Sequence, residues 1–244
     1  MKRLHTYSQH FLRSPALIKE LVGHSNIRKN DMVYDLGAGS GTISAVLSGR
    51  CKRVVAVEVE PGTLAVLRRN MKRYDNVEVV ASDIMSVPLP SEPFKIFANI
   101  PFDVSSPLLR RITEEPSGLK SAYLIVQKQF ARKLLIDSDY FTGALGAMIA
   151  PRYTARIRRP LRKTDFWPHP NVDTVLLEIK PREEPLLPAE AMPKYREMIE
   201  QTFHDPKYFA KLPLKAAGIA EGVKPSEVTS LEWCEIFSVY SSLA

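Results

Sequence analysis

Val33-Tyr34-Asp35-Leu36-Gly37-Ala38-Gly39-Ser40-Gly41 reads as a short buried strand running into a glycine-rich turn, with helix-forming residues from Thr42 onward. Glycine lets the backbone pass close to a ligand that a side chain would exclude, so the junction suits a nucleotide-like cofactor. A purely structural tight turn is the plainer alternative. The spacing is G-x-G-x-G, not the G-x-G-x-x-G that sets a pyrophosphate on a helix N-terminus. Thr42 and Ile43 follow the last glycine, so there is no Walker lysine and no extended phosphate cradle is implied.

Working outward, short apolar runs alternate with helix-like segments. Val33–Leu36, Val54–Val57, Val77–Val80, Lys95–Ala98 and Ala122–Val126 read as strands buried on both faces. Thr42–Ser48, Pro61–Arg73, Ser105–Thr113 and Gln127–Ile136 read as the helices between them. Before the first strand, Ser14 caps a helix with Pro15 at its first position and Leu17, Ile18, Leu21 and Val22 on its apolar face. This is the pattern of βαβ units, an α/β fold with a mostly parallel sheet. Strands near Tyr153–Arg158 and Thr174–Ile179 are expected to close it as an edge hairpin, joined through the stiff Phe166–Pro170 segment.

Composition changes after Ile179, where Pro181, Pro185, Pro188 and Pro193 punctuate a charged stretch that reads as a linker. Two domains are expected, 1–180 and 181–244, the second helical. In it, Asp205–Pro206 should start a helix that Gly218 ends. Thr229 and Glu232 match a capping box ahead of Trp233, Ile236, Phe237 and Tyr240 on one helix face.

With 45% hydrophobic and 25% charged residues, the composition is that of a globular protein, and no apolar run reaches the ~20 residues of a membrane span. The basic stretch Met1–Ser8 has no apolar run behind it, so a cytoplasmic protein without a secretory signal or membrane contact is expected. Cys51 and Cys234 match no metal spacing and read as reduced thiols. His5, His24, His169 and His204 form no constellation, and no metal is expected. A net charge of +7 suits a polyanionic partner. Arg152, Arg156, Arg158, Arg159, Arg162 and Lys163 crowd one stretch, with smaller clusters at Lys2–Arg3, Arg68–Arg69, Lys72–Arg73, Arg110–Arg111 and Arg132–Lys133.

Three strand ends then carry chemistry. Glu58 ends the second strand about twenty residues after the glycines, where a carboxylate accepts from ribose hydroxyls. That holds for dinucleotides and for S-adenosylmethionine alike; neighbouring Glu60 reads as a helix-starting charge. Ser82-Asp83-Ile84 ends the third strand, where Asp83 is either an acceptor for an adenine amine, with Ile84 packing on the ring, or a surface turn residue. The fourth strand ends in Asn99-Ile100-Pro101-Phe102. An adenine N6 lone pair is delocalised and nucleophilically poor. If the Asn99 side-chain oxygen and a backbone carbonyl before or at Pro101 accept its two N–H bonds, the nitrogen becomes more tetrahedral. Phe102 can stack on the flipped-out base. Displacement on a sulfonium then needs positioning and electrostatics more than a general base.

These residues, with Ser8-Gln9-His10-Phe11-Leu12, resemble the rRNA adenine N6-methyltransferases nearly end to end, including Phe166 to Val175 and the helical tail. Asn-Ile-Pro-Phe and the short C-terminal domain are most similar to the erythromycin-resistance branch, which acts on 23S rRNA; small-subunit dimethylases usually have Asn-Leu-Pro-Tyr. The resemblance implies a Rossmann-like S-adenosylmethionine-dependent methyltransferase sheet with a small C-terminal all-helical, RNA-binding domain. It implies S-adenosylmethionine contacts from His10, Leu12, Gly37, Glu58, Asp83 and Asn99, and catalysis at Asn99, Ile100, Pro101 and Phe102. It also implies methylation of 23S rRNA with macrolide-lincosamide-streptogramin B resistance, by a monomer. His10 departs from the family's usual Asn, and the contact the resemblance implies there is one from its backbone. The alternatives are a 16S rRNA dimethylase of ribosome assembly, a non-catalytic RNA-binding factor of this fold, and a DNA adenine methyltransferase, for whose usual target-recognition domain the chain has little room.

Overall fold

A computed structural model describes residues 10–12, 14–114, 117–139 and 141–243. Lys2, Arg3, Ser8 and Gln9 of the sequence reading lie outside these. In chain order the elements are β1 (Phe11–Leu12), α1 (Pro15–Gly23), β2 (Met32–Leu36), α2 (Thr42–Ser48), β3 (Arg53–Glu58) and α3 (Pro61–Met71). Then come β4 (Val77–Ala81), β5 (Phe94–Asn99), α4 (Ser105–Ile112), β6 (Leu119–Gln127), α5 (Lys128–Arg132) and α6 (Ala144–Ile149). The rest are β7 (Tyr153–Leu161), β8 (Phe166–Trp167), β9 (Thr174–Pro181), α7 (Met192–His204), α8 (Pro206–Phe209) and α9 (Ser230–Leu243).

The seven-stranded sheet runs β4-β3-β2-β5-β6-β9-β7. Strands β4 through β6 are parallel, and β9 adds antiparallel to β6. β7 lies outermost. Val33, Leu36, Val54, Val57, Ile96 and Phe97 are fully buried, as central parallel strands covered on both faces require. Edge strand β4 is only half-covered. After β4 the chain returns to pair β5 with the other side of β2. That reversal places the turns leaving β2 and β5 side by side at the strands' C-terminal ends, where open α/β sheets bind ligands. Local chemistry fixes the flanking helices. Ser14 Oγ accepts the Leu17 N–H at 3.2 Å ahead of Pro15, and the Glu60 carboxylate accepts from Gly62 and Thr63 at the start of α3. A separate two-stranded ribbon pairs β1 antiparallel with β8.

The chain divides into two compact units, residues 1–128 with 157–180, and residues 129–156 with 181–244. The crossing at 180/181 coincides with the proline-punctuated stretch, but residues 129–156, which include the start of β7, group with the helical unit. That unit has its own core of Trp233, Tyr195, Ile199, Ile236 and Phe237, joined by Ala147 and Met148 of α6. Two expected helices are shorter than their patterns suggested. Residues 127–136 give β6 through Gln127 and then only α5, while α8 ends at Phe209. Pro213 has no N–H to donate and crowds the residue before it, so the helix expected to reach Gly218 stops early. No helix among the described residues is long and apolar enough to cross a membrane. Burial pushes the Cys51 and Cys234 thiols up to about 11, which keeps them protonated.

Candidate active site

The turn after β2 is held from behind by β3. Gly37 N–H and Ala38 N–H both donate to the Val57 carbonyl at 2.9 Å. Gly37, Gly39 and Gly41 have φ of 75°, 58° and 91°. At Gly41 a Cβ would lie 2.7 Å from Met71 Cε and 2.8 Å from Leu67 Cδ1, so those side-chain ends would have to shift, and the φ of 91° disfavours any residue but glycine there. At Gly39 a Cβ would lie 3.2 Å from Phe11 Cε1, which puts the Phe11 ring directly over the turn.

Glu58, 5% exposed at the end of β3, faces that turn. Its Oε2 accepts the Gly39 N–H at 3.0 Å, and its Oε1 accepts the N–H groups of Val59 at 2.9 Å and Glu60 at 3.0 Å. A carboxylate has about four acceptor positions, so one stays open while three tie down the backbone. Glu58 therefore braces the glycine turn, which the sequence did not reveal. Behind it Asp35 is buried completely, and burial pushes its carboxyl up to about 7 against the opposing bond that Ser44 Oγ donates to Oδ2 at 2.6 Å. Its Oδ1 is buried with no partner in the structure.

Asn99 closes β5 on the other side of the cleft. Its Nδ2 donates to the His10 carbonyl at 2.5 Å. A carbonyl only accepts, so this bond fixes which end of the amide is nitrogen and turns Oδ1 the other way. His10 is held in turn: its Nδ1 lies 2.8 Å from the Pro168 carbonyl, an arrangement that requires the proton on Nδ1. Its ring meets that of Phe102 at 5.5 Å and 34°. Pro101 and Phe102 lead into a 3-10 turn in which Val104 N–H donates to the Pro101 carbonyl at 3.3 Å. Asp83, beyond β4, is exposed and accepts the Met85 N–H at 2.6 Å, the bond of a turn residue, while still facing the cleft.

All nine residues singled out from the sequence, His10, Leu12, Gly37, Glu58, Asp83, Asn99, Ile100, Pro101 and Phe102, line one cavity of about 210 Å³. Phe11, Ser40, Thr42, Val59, Met85, Asp103 and Val104 share that lining, and none of them is among the nine. Phe11, Val59, Met85, Asp103 and Val104 sit within two residues of one of those nine, and Ser40 and Thr42 lie in or beside the glycine motif, so proximity to the motifs was the available signal. The side chains of Leu12 and Ile100 are buried at 6% and 2% exposure, so Leu12 shapes the wall and Ile100 offers the cavity chiefly its backbone.

Residues 2–207 match the ribosomal RNA adenine dimethylases. The chain belongs to the ribosomal RNA adenine dimethylase family. It is accordingly an S-adenosylmethionine-dependent rRNA adenine methyltransferase. An rRNA adenine N-6-methyltransferase of Lysinibacillus sphaericus is 33% identical over 174 residues, 71% of this chain and 69% of that one. The ribosomal RNA small subunit methyltransferase A of Streptococcus equi subsp. zooepidemicus is 28% identical, over 75% of this chain and 66% of its own. Among solved structures, the 23S rRNA methyltransferase ErmE superposes with a TM-score of 0.81 at 26% identity, covering 95% of this chain and 99% of that one. The dimethylase cavity fits the family's methyl donor. Its lining joins glycine backbone and an acidic side chain with an open acceptor position to the apolar Ile84 and Met85 and the polar Asp83.

Proposed function

We propose that the enzyme methylates N6 of one adenosine in 23S rRNA, with resistance to macrolide, lincosamide and streptogramin B antibiotics as the consequence. The observation that carries the adenine chemistry is the fixed Asn99 amide, whose donor end is spent on His10 so that its acceptor end is left for a substrate N–H. The Ile100 carbonyl is assigned as the second acceptor, since the Pro101 carbonyl already receives Val104 N–H. Two acceptors on one amine draw its lone pair out of the ring plane, and the gain is larger in the transition state than in the ground state. Phe102 stacks on the base and holds it in line. S-adenosylmethionine supplies a methyl group already activated on sulfur. Glu58 and Asp83 hold its ribose and adenine in this reading, and His10, Leu12 and Gly37 complete the wall.

The 23S target is favoured by the full-length superposition on ErmE and by Phe102 in the motif. We assign residues 181–244 to RNA binding and the protein to the cytoplasm as a monomer. The test is to map methylated adenosines in ribosomal RNA from cells with and without the protein. A new mark in 23S rRNA is expected; a mark confined to 16S rRNA would move the enzyme to the assembly dimethylases.

A further inference from the structure

We propose that Trp167, paired across the β1–β8 ribbon with Phe11, is a stacking platform for the nucleotide next to the target adenosine. The inference rests on the rRNA-methylating reading above and extends it to a neighbouring base. Residues directly opposite in an antiparallel pair share a face. In this ribbon Leu12 pairs with Phe166 and Phe11 with Trp167. The first pair is buried at 6% and 0% exposure; the second faces out at 42% and 58%. Two half-exposed aromatic residues thus stand opposite each other in the ribbon, and one of them, Phe11, lines the cavity assigned to the target.

The platform is held in place. Lys163 Nζ donates to the Asn171 carbonyl at 2.9 Å, His169 Nδ1 lies 3.0 Å from the Lys163 carbonyl, and the His169 ring meets Trp167 at 5.6 Å and 86°. The His10–Pro168 contact at 2.8 Å ties the next residue to the catalytic wall. An adenosine extruded into the cavity leaves its neighbours unstacked, and aromatic side chains recover that stacking without regard to base identity. Exposed Arg162 and Lys163, immediately before the ribbon, suit the phosphates joining those nucleotides. Two exposed aromatic residues, with cations a few positions before Trp167 in the chain, suit a nucleobase and its phosphates rather than an apolar protein surface.

The chain supplies its own probe. It has two tryptophans, and Trp233 is fully buried in the other unit, so a change in emission on binding reports Trp167. A single-stranded oligoribonucleotide with one adenosine, titrated into the full-length protein, should quench that emission. Trp167→Ala should lower its affinity roughly 5- to 150-fold and leave S-adenosylmethionine affinity unchanged, while Trp167→Phe should retain most RNA binding. Making the nucleotide beside the adenosine abasic should cost the wild type a similar factor and cost Trp167→Ala little more. Equal RNA affinity in Trp167→Ala, or a loss of cofactor affinity instead, overturns the platform. If the quench and the abasic effect hold but no rRNA adenosine is methylated, the platform stands and the proposed function fails.

Discussion

Asn99 shows how one hydrogen bond sets a chemical role. With Nδ2 committed to His10, Oδ1 is preorganised to accept, and Asn99→Ala should slow methyl transfer about 100-fold or more at saturating cofactor. Single-turnover assays on an rRNA fragment would measure this, and a fully active variant would remove Asn99 from the mechanism. Asp35 makes a different prediction. Burial raises its carboxyl from 3.8 to about 7, so the folded state holds a proton that the unfolded chain releases. The stability this contributes is complete below pH ~4 and is lost as pH rises through 7, on the order of 4 kcal/mol. Asp35→Asn keeps an acceptor for Ser44 and should flatten Tm against pH over that window; an unchanged slope would show that other groups cause it. The Asn99 motif was legible in the sequence because its four residues are contiguous. The second role of His10 was not, because its ring partner lies 158 residues away, beyond the reach of local patterning.

At the scale of elements, α9 begins with two sets of bonds. Thr229 and Glu232 bond reciprocally, as their spacing suggested, with Glu232 Oε2 2.8 Å from Thr229 N. Asp137 was not anticipated: its Oδ1 accepts Ser230 N–H at 2.7 Å and its Oδ2 accepts Ser230 Oγ–H at 2.5 Å, from a backbone at φ 61° that Asp tolerates better than most residues. Asp137→Ala should destabilise the protein by about 1–3 kcal/mol, and Asp137→Asn by less, in urea denaturation. Equal stability of the alanine variant would show that the box alone starts the helix. Alternating apolar runs made the central strands readable to within a residue or two at most ends. The proline-rich stretch concealed α7, because Pro193 lies in its first turn, where a missing N–H costs nothing.

For the whole molecule, charge is less free than the sequence count implies. Arg159 pairs with Glu20, and Arg158 lies 3.9 Å from Glu178, so part of the basic stretch answers the protein's own carboxylates. Neutralising Arg162 and Lys163 together should reduce the slope of log affinity for RNA against log salt by about 1.5, and neutralising Arg158 and Arg159 by less. Binding titrations across a salt series would decide, and the reverse ranking would place the RNA along Arg158 and Arg159. The threading of the chain has a further consequence, for its synthesis. A polypeptide emerges N-terminus first, and its units fold as they are completed. The sheet unit has all its parts once residue 180 is made, but the segment 129–156 belongs to a core whose other members, on α7 and α9, are not yet translated. For that interval the nascent chain presents Ala147 and Met148 uncovered by their final partners, so a ribosome pausing there offers a chaperone an apolar segment within an otherwise finished catalytic unit.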